Sequence, residues 1–107
     1  MFVIDKNKKI ILTKGDTASM FVEVKYLDNT PYNVKQDDII TLTVKKTPSS
    51  TPSIVKQAGE QYIVFKPEDT SNMSTGLYTY DIQLENADGD IYTIVPESFF
   101  QLTNEVS

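Results

Sequence analysis

From Leu77 to Glu85 the side chains alternate without a break, with Tyr78, Tyr80, Ile82 and Leu84 on one side and Thr79, Asp81, Gln83 and Glu85 on the other. Successive side chains of a strand point to opposite faces, so such a segment buries one face and wets the other. A helix of about 3.6 residues per turn would scatter the same apolar residues around its circumference. The same period recurs from Ala18 to Tyr26, where Met20, Val22, Val24 and Tyr26 share a side, and from Asp38 to Lys46, where Ile40, Leu42 and Val44 do. Phe21 and Ile39 break the pattern, because alternation assigns both to the wet face. No long segment carries sustained helical spacing, so the chain reads as all-β.

Turn chemistry sets the remaining boundaries. A strand from Lys9 to Thr13 closes at Lys14-Gly15-Asp16, and Leu27-Asp28-Asn29-Thr30-Pro31 ends the next, since Asp and Asn tolerate left-handed angles and Pro removes a ladder donor. Thr47 to Ser53 has loop composition. Ser53 to Gln57 and Gln61 to Lys66 are expected to form a hairpin around Ala58-Gly59-Glu60. Pro67 to Met73 suits one helical turn, with Pro at its start and acids in its first turn. Asn86 to Asp90 is a hairpin turn with Gly89 supplying positive φ. Ile91 to Val95 follows, Pro96-Glu97 is expected to break it, and Ser98 to Thr103 is the last strand. About seven strands in 107 residues predict a single domain over 1–107, an antiparallel sandwich or barrel.

The residue inventory excludes most chemistry. Cysteine and histidine are absent, which removes thiolate metal sites, disulfides, thiol nucleophiles and the commonest general base. Ten lysines, no arginine and fifteen acids give a net charge of −5, the wrong sign for a phosphate backbone. No enzyme activity, catalytic residue, cofactor or nucleic-acid partner is expected. Asn86, Asp88 and Asp90 resemble the front of a calcium loop but lack its closing glutamate, so a bulged hairpin is expected there and no metal. The adjacent acids Asp37-Asp38 and Glu68-Asp69 cannot form a facing catalytic pair, and solvation or capping is expected of them. Lys8-Lys9 and Lys45-Lys46 suit strand-edge protection. The segment from Met1 to Lys6 lacks a signal-peptide core, and no stretch approaches transmembrane length, so synthesis in the cytoplasm and no membrane partner are expected.

Ser74-Thr75-Gly76-Leu77-Tyr78-Thr79-Tyr80 resembles the start of strand F in immunoglobulin domains. That resemblance implies an immunoglobulin-like antiparallel β-sandwich in which Tyr78 caps the corner through its hydroxyl. It also implies that Tyr80 fills the volume a cysteine takes elsewhere. Across nearly the whole chain, Lys14-Gly15-Asp16-Thr17-Ala18, Pro67-Glu68-Asp69-Thr70, Gly76 through Leu84, and Asp88-Gly89-Asp90 with Thr93-Ile94-Val95-Pro96 and Phe99 are together similar to small phage and prophage virion proteins of Gram-positive bacteria. Those include the N-terminal domains of baseplate upper proteins and small decoration or fibre-base modules. The resemblance implies a structural assembly module, made in the host cytoplasm and virion-associated, whose partners are other virion proteins or itself.

Phe21, Ile39 and the doublet Phe99-Phe100 are the candidate interface residues, and at least one member of the doublet must face away from the core. The alternative reading is a carbohydrate-binding or adhesion module, in which Tyr26, Tyr32 and Tyr92 offer rings to a sugar face. It requires at least two of them coplanar on one exposed surface.

Overall fold

The computed structural model describes residues 2, 4, 8–47, 50–58 and 61–104. Among them are strands β1 (Ile10–Thr13), β2 (Ala18–Phe21), β3 (Ile39–Lys45), β4 (Pro52–Ala58), β5 (Tyr62–Phe65), β6 (Gly76–Glu85) and β7 (Ile91–Thr103), and one helical turn, α1 (Pro67–Thr70). The fold is all-β, as the alternation requires. Five strands make a sheet in the order β1-β7-β6-β3-β4, and β2 pairs with β5 in a second, two-stranded sheet.

The longest alternating segment is central. β6 pairs antiparallel with β3 on one side and with β7 on the other, and Tyr78, Tyr80, Ile82 and Leu84 are all buried. They join Ile40, Leu42 and Val44 of β3, Phe100 and Leu102 of β7, Ile63 and Phe65 of β5, and Val22 and Val24 in one core. Phe100 bridges the two sheets, its ring centroid 6.0 Å from that of Phe65 and 6.4 Å from that of Tyr78. Fully burying an aliphatic or aromatic side chain of this size contributes about 1.5–3 kcal/mol, so this shared layer dominates the stability.

Four expectations need correction. The larger sheet is mixed, because β1 runs parallel to β7, with Ile10 beside Phe100 and Thr13 beside Thr103. Secondly, β4 and β5 do not form a hairpin: β4 pairs with β3 and β5 with β2, so the chain changes sheets between them. Ala58 ends β4, while Gly59 and Glu60 of the expected turn lie outside the described residues. Thirdly, Pro96 does not end a strand. Tyr80 pairs with Ser98 and Ile82 with Val95, so Asp81 alone faces both Pro96 and Glu97, and this bulge accommodates a residue with no N–H to donate. A second irregularity follows at once, Gln83 pairing with Thr93, and it lets the consecutive residues Ile94 and Val95 both turn inward. Fourthly, Lys45-Lys46 guards no edge, since β3 is interior. Lys46 instead places Nζ 4.6 Å from the ring centroid of Tyr78.

The second strand is shorter than its alternation suggests, the ladder with β5 ending at Phe21. Beyond it the chain folds back on itself. The amide of Tyr32 donates to the Val24 carbonyl at 2.9 Å, the amide of Tyr26 to the Thr30 carbonyl at 2.9 Å, and Asn29 takes a φ of 69°. In α1, Pro67 occupies the first turn, and the carboxylate of Asp69 accepts the Lys66 amide at 2.7 Å. Burial pushes the Asp69 carboxyl up, but the Lys66 amide and the Lys56 ammonium, 3.0 Å away, outweigh it and hold it below its ordinary value. Thr70 is buried and its hydroxyl accepts the Gly15 amide at 2.9 Å, tying the β1–β2 turn to the helix.

Candidate functional site

The pleat puts Tyr78 and Tyr80 where the sequence expects them. The Tyr78 hydroxyl donates to the Ser74 carbonyl at 2.7 Å, four residues upstream, closing the corner between α1 and β6. The Tyr80 ring is 2% exposed, and its hydroxyl donates to the Lys8 carbonyl, which holds the chain ahead of β1.

The candidate interface residues separate into three places. Phe21 is 52% exposed on the outer face of β2, where its ring meets that of Tyr62 edge-on at 5.2 Å between centroids. Val64 is exposed two residues further along β5, so Phe21, Tyr62 and Val64 make one apolar patch. Phe99 lies on the outer face of the other sheet. There it pairs with Thr79, while Gln101 pairs with both Leu77 and Ile11, and Phe99, Leu77 and Ile11 are all exposed. Ile39 stands at the far end of that same face, across Glu85 from Ile91. Phe100 is not an interface residue. It is fully buried, because alternation within β7 turns it inward when Phe99 turns out. Tyr62, Val64, Leu77 and Ile11 were not singled out from the sequence. The signal was available, since in each strand the neighbours of an inward residue point outward.

The patch on β2 and β5 adjoins an open sheet edge. The Val22 amide donates to the Gln61 carbonyl at 2.6 Å, and continuing that register makes Met20–Ile63 and Ala18–Phe65 the bonded pairs. Antiparallel pairs alternate between bonded and non-bonded, so the amides and carbonyls of Tyr62 and Val64 point away from β2. β5 has no other strand partner among the described residues.

Tyr26, Tyr32 and Tyr92 do gather, around a fourth ring that the sequence did not reveal. Phe2 is buried with its centroid 5.8 Å from Tyr26, 4.9 Å from Tyr32 and 5.2 Å from Tyr92. Tyr26 and Tyr32 cross at 85°, so these two offer no flat platform to a sugar ring. Beside them opens a cleft of about 370 Å³ between residues 35–38 and 86–88, bordered by Lys35, Asp37, Asp38 and Asp88. Asp38 is buried and committed, accepting the Tyr32 hydroxyl at 2.5 Å and the Lys35 amide at 2.8 Å. Burial, followed by this bond to Asp38, pushes the Tyr32 hydroxyl up to about 12. Of the adjacent acids Asp37 and Asp38, one therefore caps a turn and the other is exposed.

At Asn86 the side-chain oxygen accepts the amides of Asp88 and Asp90 at 3.0 and 2.9 Å, so that oxygen is spent on the hairpin turn. Asp81, beside the β7 bulge, is pushed above its ordinary value by burial, with Glu97 adding to the shift and Lys45 opposing it. No helix among the described residues is long and apolar enough to cross a membrane. No known protein family model matches the chain, and no curated protein matches its sequence.

Proposed function

We propose that this chain is a non-catalytic assembly module of immunoglobulin-like architecture, acting through protein–protein contact in the manner of the virion components its sequence resembles. The observation that carries the reading is the contiguous exposure of Phe21, Tyr62 and Val64, at 52%, 55% and 39%, beside the β5 edge, which has no second strand partner among the described residues. Scattered exposed apolar residues are ordinary, whereas a ring pair next to an open edge suits strand addition or face packing by another protein. The architecture is supported by the β1-β7-β6-β3-β4 and β2-β5 grouping and by the Tyr78 corner. A phage or prophage particle is the setting that the resemblance suggests.

A stable contact of this kind buries about 800 Å² per partner. Phe21→Glu tests it, because a charge on a solvated strand face leaves the fold intact while disrupting a docking surface. The expected outcome is a wild-type melting curve with loss of self-association in light scattering, or of incorporation into particles. Unchanged behaviour in both assays refutes this surface as the interface.

A further inference from the structure

We propose that the cleft beside Tyr26 and Tyr92 is a binding site for an alkylammonium group. Its volume of about 370 Å³ falls in the range of small-ligand sites, roughly 300–1,000 Å³, and suits a ligand of side-chain size. Among the described residues, the charges on its border are three carboxylates, Asp37, Asp38 and Asp88, against one ammonium, Lys35. A cation is therefore favoured over an anion, in keeping with the net charge of −5 for the whole chain. The same border selects the kind of cation. Among the described residues no three acidic side chains converge in ligating geometry, and the Asp38 carboxylate already holds two donors. A small hard ion needs several oxygens at once and is poorly served here. A large, weakly hydrated ammonium needs only diffuse negative charge and aromatic rings, whose quadrupole attracts it. Both are present, with Tyr26 and Tyr92 partly exposed at the rim and backed by Phe2.

Two sources share this chemistry, a quaternary ammonium such as choline and the primary ammonium of a lysine side chain on a partner protein. The site lies apart from the Phe21 patch, so the two readings fail independently. The test is an NMR titration of the full chain with choline, with Nα-acetyl-lysine methylamide, and with 3,3-dimethylbutan-1-ol, the neutral isostere of choline. We expect saturable shifts at Tyr26, Tyr92 and Asp88 from at least one cation. For choline, the isostere should bind about tenfold more weakly or not at all. Choline alone binding identifies the quaternary source, and the lysine analogue alone binding identifies a partner's side chain. Lys35→Met should tighten either by removing the competing charge, and Tyr92→Leu, which keeps the apolar bulk, should weaken it several-fold; melting curves verify that both variants fold. The proposal is overturned if neither cation gives saturable shifts at these residues, if the isostere binds as well as choline, or if Lys35→Met weakens binding.

Discussion

Truncating Tyr80 to alanine should remove a large share of the stability of this domain, and the structure divides that loss into two parts. The ring is 2% exposed in the middle of β6, between Val44 of β3 and Ser98 of β7. Deleting a buried aromatic side chain costs about 3–5 kcal/mol, the transfer free energy of the ring plus the cavity left where neighbours cannot collapse. The hydroxyl contributes separately through its bond to the Lys8 carbonyl. Because Lys8 is exposed, water can replace that donor, and Tyr80→Phe should cost only about 0.5–1.5 kcal/mol. A domain of this size has a total of about 5–15 kcal/mol, so Tyr80→Ala should lower the melting temperature by roughly 15–30 °C, and Tyr80→Phe by a few degrees. Asp88→Ala, in an exposed turn, should be nearly neutral and serves as the control. Urea unfolding followed by circular dichroism measures all three, with constant slope verifying that only stability changed. A loss for Tyr80→Ala no larger than that for Tyr80→Phe, or equal to that for Asp88→Ala, refutes the assignment of the ring to the core.

Three further outcomes follow from particular contacts. Tyr78→Phe should cost about 1 kcal/mol in the same unfolding assay, since it removes the Ser74 bond and leaves the ring in place. Thr70→Val keeps the shape of a fully buried side chain but removes the acceptor of the Gly15 amide, which is exposed and can turn to water, and should cost about 0.5–1.5 kcal/mol with faster hydrogen exchange at Gly15. Asp81→Asn should stabilise the protein at neutral pH. Its carboxyl is raised above 3.8 by burial, so the protonated form contributes stability below that value, which is lost as pH rises through the higher folded value. The advantage of the asparagine variant should therefore open across that window and vanish in acid; melting curves from low to neutral pH measure it.

What could be read from the sequence was whatever alternation alone dictates. Ile40, Leu42 and Val44, or Tyr78 through Leu84, have a single way to bury an apolar side once they are strands. The outward placement of Phe21 and Ile39 follows from the same parity. Pairing partners are another matter. The β1–β7 contact joins residues some ninety positions apart, and its four residues carry no mark of parallel rather than antiparallel company. The separation of β4 from β5 escaped for the opposite reason: two short strands around a glycine suggest a hairpin, and only the demand of β2 for a partner overrides it. Pro96 reads as a break in a single strand, because the bulge that shelters it is a property of two strands, not one. Phe2 escapes a reading of the sequence because the tyrosines that bury it, Tyr26, Tyr32 and Tyr92, lie far along the chain, whereas Asp38 takes the capping role expected of it with Tyr32, only six residues away, as a second donor.

The parallel pairing of β1 with β7 also fixes how the molecule carries load. Chain enters β1 at Ile10 and leaves β7 at Thr103, and the two strands run the same way side by side. Tension applied through those two points therefore pulls the strands past one another along their length, and the bonds between them resist together instead of opening one at a time from an end. The Thr103 carbonyl, which also accepts the Lys14 amide at 2.9 Å, sits at the end of this shear clamp. Such a joint resists tension along its strands better than tension applied sideways, which would open its bonds one after another.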